Sequence, residues 1–282
     1  MLTMLEHASQ TYAAAYFGIM IVISLLEWVV PRRKAGDALM VRWAGNLGIS
    51  FVNTVVIRAV FPLAGIAWAA LCAERGWGLL NRAAVSPWVT LPLSIVALDL
   101  MRYIAHWLFH RVPVLWQIHS THHTDHEVDF TTGIRFHPAE VLISEAVGFA
   151  MIAAIGIPPF AVLVFSLLAV SITFFEHANV QLPATVDAVL RLVIVTPDMH
   201  RVHHSQVLRE GNSNFGSLLP WWDRLCGTYI AEPEGGDAVR FGVAGFDERK
   251  HLWLHWMLAK PLIRPVAAEP GQSVVGRSNP AI

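Results

Sequence analysis

The chain has 282 residues, 55% of them hydrophobic and only 15% charged, against about 25% charged residues in ordinary soluble domains. With a mean hydropathy of +0.49 and a net charge of −1, it is not an ordinary soluble enzyme, and it has no field to attract nucleic acid or acidic partners. Cys72 and Cys226 lie far apart and in no CxxC pattern, which excludes a disulfide scaffold and a thiolate metal site.

The first apolar run, residues 8–26, carries no charge and is followed by Arg32-Arg33-Lys34. The positive charge trails the apolar run, unlike a signal peptide. The run therefore reads as a crossing with its N-terminus outside and residues 31–42 cytoplasmic. The second stretch, roughly 43–72, is interrupted by Arg58 and Pro62. A charge at mid-bilayer costs about 2.5–3.5 kcal/mol on insertion scales, so either Arg58 faces a polar interior or residues 43–58 lie partly at the interface. The third stretch, 83–98, predicts a helix over residues 88–110 that emerges on the cytoplasmic side and ends with His106 and His110. The fourth, 146–175, is uncharged and divided by Pro158-Pro159. Two prolines do not fit inside one helix, so it predicts a hairpin with arms 139–157 and 160–176, each near the short end of the spanning range.

The expectation is an all-α, multi-pass membrane bundle of about four transmembrane helices with a cytosolic, histidine-rich helical cap. The alternation of crossings puts residues 31–42, 100–138 and 177–282 on one side. Within the cap, Trp221, Trp222, Trp253 and Trp256 suit either the membrane–water boundary or a core. The chain divides into an N-terminal transmembrane region (1–80), a catalytic domain (81–260) and a disordered tail (261–282), whose composition lacks periodicity.

Eleven of the fourteen histidines fall between His106 and His204. His106 and His110 are spaced i, i+4, on one helix face. His119, His122 and His123 form an HxxHH box, and His200, His203 and His204 form a second. Imidazole is the usual ligand where Fe, Zn or Cu is bound, and a box repeated on the same side points to ligation. His137 and His177 flank the hairpin and are candidate ligands because of that shared neighbourhood. His126 reads as part of a solvated loop and is left out; His7, His251 and His255 lie outside the cluster.

Eight to ten imidazoles, with or without His137 and His177, exceed what one metal takes, which argues for two metals. All-nitrogen ligation disfavours Mg and Ca, and the lack of a cysteine cluster disfavours an iron–sulfur site. Fe, Zn and Cu remain: hydrolysis would suit zinc, whereas attack on an unactivated C–H bond needs O2 and a redox metal, hence iron. Asp99, Asp125, Asp129, Glu140, Glu176 and Asp198 stand near ligands in sequence and are candidates to orient the rings. Asp198, after Pro197, also suits a helix cap.

The runs Asp99–Arg111, Leu115–His123, Thr131–Glu140, His177-Ala-Asn179-Val180 and Thr196–Ser205 together resemble the fatty acid hydroxylase / sterol desaturase superfamily, as do Asn214-Phe-Gly216 and Trp222–Tyr229. This likeness covers roughly residues 90–230 and adds Asn179 to the candidates beside the ligands. It implies a membrane-bound, non-haem di-iron oxygenase that hydroxylates or desaturates a lipid such as a sterol or fatty acyl chain. It also implies O2 as co-substrate and NAD(P)H electrons delivered by a separate carrier, cytochrome b5-like or ferredoxin/reductase, since no cytochrome b5-like segment is seen. The other readings are a zinc-dependent membrane hydrolase, a metal-binding or transport protein, and a bis-histidine haem carrier.

Overall fold

The computed structural model of the chain describes residues 2–61, 64–83 and 85–263. The first apolar run folds as α1 (Leu2–Val29) and stops ahead of Pro31, because the residue before a proline is biased away from helix. Next come α2 (Leu39–Val60) and α3 (Gly65–Glu74). Arg58 sits exposed on the last turn of α2. The helix begins earlier than expected, so the arginine lies at the end of α2 and not in its middle. Helix α4 (Pro87–Arg111) is about 37 Å long at 1.5 Å per residue, and α5 (Pro113–His123) starts afresh with Pro113 in its first turn, where a missing N–H costs nothing. The hairpin is α6 (Pro138–Ile155) and α7 (Pro159–His177). Gly156 closes α6 with φ +80, a left-handed conformation that only glycine adopts without strain. The cap contributes α8 (Ala184–Leu190), α9 (Pro197–His203), α10 (Leu208–Gly211), α11 (Trp221–Cys226) and α12 (Leu254–Ala259).

Among the described residues there is no β-strand, only two isolated bridges, Pro31–Val180 and Ser205–Phe241. Five stretches are long and apolar enough to cross a membrane: Gln10–Val29, Leu39–Glu74, Pro87–Arg111, Pro138–Ile155 and Pro159–His177. Both hairpin arms thus reach spanning length, and the bundle is a multi-pass one. Phe17, Ile21, Phe51, Val55, Trp88 and Leu93 point outward, exposed. Such a surface would promote aggregation in water and is what lipid requires.

Helix α7 lies at the centre, packed against α1, α3, α4 and α9. An apolar core of Ala69, Cys72, Leu98, Ile152, Ala161 and Phe165 joins α3, α4, α6 and α7. The other end of the bundle is polar. Arg32 bonds Asp198 and Asp237, the Arg33 N–H donates to Asn179 Oδ1 at 3.1 Å, and Arg42 pairs with Asp125 and Asp129. The basic turn after α1, the segment around residue 125 and the cap therefore meet at one end. Trp221 and Trp253 are exposed there, whereas Trp222 and Trp256 are half-buried. The tail expected to be disordered lies, from residue 264 onward, outside the described residues.

Candidate metal centre

Four helices deliver the histidines. The last turns of α4 carry His106 and His110, α5 carries His119, His122 and His123, α7 ends on His177, and α9 with its following residue carries His200, His203 and His204. Their ring nitrogens converge as two groups: His106, His110, His119, His123 and His203 in one; His122, His177, His200 and His204 in the other, the contributing atoms of each lying within 4.8 Å of one another. The groups adjoin, since the His123 ring lies 4.7 Å from the rings of both His203 and His204. Each HxxHH box is split between them. In α5 the i and i+4 members go to one group and the i+3 member to the other; in α9 the division is reversed.

Hydrogen bonds to one nitrogen of a ring decide what the other can do. His106 Nδ1 faces the Phe215 carbonyl at 2.9 Å and His203 Nδ1 the Ser213 carbonyl at 2.8 Å. His177 Nδ1 faces the Thr173 carbonyl at 2.8 Å, and His119 Nδ1 faces Glu140 Oε1 at 2.7 Å. A carbonyl only accepts, so those Nδ1 atoms carry the proton and Nε2 is left with a lone pair. In the four-membered group, successive Nε2 atoms of His122, His177, His200 and His204 lie 3.2, 2.9 and 3.1 Å apart. Nitrogens bound to one ion at about 2.0–2.1 Å would sit about 2.8–3.4 Å apart for bond angles of about 90–109°, so the spacing is that of a ligand set. In the other group, His106 Nε2, His203 Nε2 and both nitrogens of His110 have no hydrogen-bond partner.

Burial, reinforced by neighbouring imidazoles, holds His122, His123, His200 and His204 well below the ordinary histidine range. Burial likewise brings His203 down to about 3. The rings are neutral and their lone pairs face one another, an arrangement that a bound cation relieves and that suits Fe, Zn or Cu. Phe136 stacks on His122 at 4.5 Å, Trp116 lies 4.8 Å from His110, and Phe215 lies 5.1 Å from His110. These aromatics exclude water from the ring cluster.

The structure does not bring His137 to either group. Its Nδ1 accepts from the Ala139 N–H at 3.1 Å as the cap of α6, and its Nε2 faces the Leu258 carbonyl at 3.2 Å. His126 is half-buried and also outside both groups. Of the candidates for orienting rings, only Glu140 bonds a ligand ring. Glu176 Oε1 is 3.6 Å from His177 Nδ1, beyond hydrogen-bond reach. Asp99 accepts from the Leu218 and Leu219 N–H groups and from Trp222 Nε1, Asn179 ties down Arg33, and Asp198 pairs with Arg32.

Asp125 and Asp129 belong to a buried network beneath α5. Arg42 Nε donates to Asp125 Oδ1 at 2.6 Å and its Nη1 to Asp129 Oδ2 at 3.0 Å. Arg135 donates to Asn46 Oδ1, the Thr121 carbonyl and Thr124 Oγ1. Burial opposes ionisation of Asp125, but Arg42 and Arg135 outweigh it and hold the carboxyl well below the usual carboxylate range. Sequence reasoning passed over Arg42, Asn46 and Arg135 as members of the site. The available signal was a set of hydrogen-bonding side chains at the start of an apolar run. It also missed that Ser213 and Phe215, in and beside the Asn214–Gly216 run, supply two of the carbonyls. Asn214 adopts φ +51 and is held by the Met199 and Ile230 carbonyls, while Asp223 accepts from the Phe215 and Gly216 N–H groups at 2.8 Å each.

The fold and the site together define a multi-pass membrane protein built around a paired, all-histidine centre. Residues 91–228, which include every histidine of that centre, match the family model of the fatty acid hydroxylases. Similar proteins are an ornithine lipid hydroxylase of Rhizobium tropici, 33% identical over 54% of this chain and 45% of the relative, and two alkylglycerol monooxygenases. That of Xenopus tropicalis is 30% identical over 79% and 48%; that of Homo sapiens is 26% identical over 78% and 47%. The alignments thus span less than half of each of these relatives. No solved structure matches the chain. The histidine-bearing part of the chain, residues 91–228, thus matches the fatty acid hydroxylase family.

Proposed function

We propose that the chain is a membrane-bound, non-haem di-iron oxygenase that hydroxylates a membrane lipid with O2. The electrons come from NAD(P)H through a separate donor protein of the cytochrome b5 or ferredoxin/reductase kind. The observation that carries this reading is the pair of adjoining groups of five and four histidines, all but His106 buried. The names of the relatives, a lipid hydroxylase and alkylglycerol monooxygenases, support oxidation of a lipid over hydrolysis or transport.

Bound iron would supply O2 activation: one oxygen atom enters a C–H bond, and the other leaves as water with two electrons from the donor and two protons. The chain's residues do the rest. His106, His110, His119, His123 and His203 would hold one ion, and His122, His177, His200 and His204 the other. Glu140 and the Thr173, Ser213 and Phe215 carbonyls fix the ring tautomers and orientations. Phe136, Trp116 and Phe215 exclude water, which protects a reactive centre from side reactions. His137 stays a helix cap in this reading, and residues 81–260 are the catalytic domain. Because Arg32-Arg33-Lys34 lies at the same end as the centre, that end faces the cytoplasm, where a soluble donor can reach it.

Protein purified from iron-replete cells should carry about two iron ions per chain, one for each ligand group. Lipids of cells that express it should gain one oxygen atom in an O2-dependent manner. Zinc without iron, with ester cleavage that needs no O2, would replace this reading with a hydrolase; loss of two hydrogens from the lipid would make the enzyme a desaturase.

A further inference from the structure

The cap contains a second polar site that the histidine centre does not use. A cleft of about 880 Å³ opens beside the end of α1, between Val29–Val30, Leu182–Pro183 and the 232–237 segment. That volume suits a small-molecule group. Its walls carry Arg32, Arg191 and Arg201 against Asp187, Asp198, Glu232 and Asp237. Several of these neutralise one another: Arg32 bonds Asp198 and Asp237, and Arg191 bonds Asp187.

Two deeply buried groups stay unsatisfied. Arg201 is 6% exposed; its Nη1 lies 3.7 Å from Asp198 and 3.9 Å from Asp237, and its Nη2 has no hydrogen-bond partner. Asp187 is 5% exposed and gives one oxygen to Arg191, while its Oδ1 has no partner. A buried donor and a buried acceptor are each costly to leave unpaired, and the residues that carry them both line one cleft, with those two atoms beneath its surface.

Helix α8 and the turn that follows it, residues 191–193, show what the cleft faces. Ala184, Asp187, Ala188 and Arg191, at helical spacing, line it. Val186, Val189, Leu192 and Val193 are exposed on the other side. This apolar face belongs to the cap, not to a crossing, and the cleft it borders opens at the exposed Val29 and Val30, where the first crossing ends. An amphipathic segment in that position lies in the lipid interface, which places the cleft mouth at headgroup depth.

We propose that this cleft binds the headgroup of a membrane lipid that carries both an anionic and a cationic group, Arg201 taking the anion and Asp187 the cation. Four carboxylates against three arginines disfavour a purely anionic headgroup. Helix α9 joins the two sites: Asp198 and Arg201 line the cleft, and His200 and His203 enter the histidine centre. That this lipid is also the substrate rests on the oxygenase reading above.

The test offers full-length protein in detergent phosphatidylethanolamine, phosphatidylglycerol and diacylglycerol, and counts retained lipid by native mass spectrometry. Phosphatidylethanolamine should be retained in preference to both others. Asp187→Asn and Arg201→Gln should each weaken its retention about tenfold, the loss expected for one hydrogen bond to a charged group. Equal retention of the three lipids, or variants that fold and retain phosphatidylethanolamine as the wild type does, would overturn the proposal. Should the variants fail to fold, competition on the wild type decides: displacement by glycerophosphoethanolamine but not by inorganic phosphate supports the cleft, and equal displacement by both overturns it. The readout needs no turnover. Selective retention with no lipid oxidised would leave the cleft standing and remove the oxygenase reading; lipid oxidation without headgroup selectivity would do the reverse.

Discussion

Ring orientation is set one residue at a time, and Glu140 is the clearest case. Its Oε1 receives His119 Nδ1 at 2.7 Å, a charge-assisted acceptor where three other ligand rings use carbonyls. Replacing such a partner costs about 10–100-fold in metal affinity or activity. Glu140→Gln should therefore lose iron about 10–100-fold more readily in a chelator titration, with the fold intact. His137→Ala should behave oppositely: iron content unaltered, and a stability loss of about 1 kcal/mol, the worth of a helix cap, seen in thermal unfolding. Loss of iron from that variant would make His137 a ligand after all. At this scale the sequence was informative about residue type. The i, i+3, i+4 boxes marked the ligands because helical spacing alone puts those rings on one face. It could not separate His137 from the others, because whether a ring turns to its own helix end or to a shared centre depends on neighbours remote in sequence.

At the level of elements, α5 is the piece that the fold must hold still, since it feeds both histidine groups. The network under it is built from α2 and the segment after α5: Arg42 to Asp125 and Asp129, Asn46 to Thr131, Arg135 to Asn46 and Thr124. Removing one partner of a buried ion pair costs about 3–5 kcal/mol. Arg42→Ala should lower stability by about that much, measured by unfolding in detergent, and should release iron although Arg42 touches no histidine. Arg42→Lys keeps the charge but not the fork of donors and should fall between. The helices themselves were readable from apolar runs and prolines, and the hairpin at Pro158-Pro159 came out with arms close to those expected. The role of α2 was not readable, because its buried polar residues find partners more than seventy positions away.

For the whole molecule, the histidine centre couples stability to pH. His122, His123, His200, His203 and His204 are held below the ordinary histidine range in the fold, chiefly by burial. The unfolded chain binds protons there near pH 6.5, so it holds more protons than the folded chain below that value. Stability of iron-free protein should then be full above about pH 6.5 and fall as the pH drops, visible as a falling midpoint in thermal scans. Iron binding, which needs neutral rings, should fail over the same range. A pH-independent midpoint would mean that the rings are already solvated or charged. Orientation is testable with a native residue. Cys226 is exposed in the cap and Cys72 is buried, so an impermeant maleimide should label inside-out vesicles and spare right-side-out ones; the opposite pattern would invert the topology.

Composition and pattern by themselves determined a membrane-embedded, all-helical chain with its histidines gathered at one end, because hydropathy and helical periodicity are local properties that need no partners. Which histidine joins which group, what orients each ring, and where unpaired charges gather in the cap were decided only by the tertiary structure. Each HxxHH box is divided between the two groups, and that division arises where α4, α5, α7 and α9 meet. A contact made between four helices has no signature in any one of them.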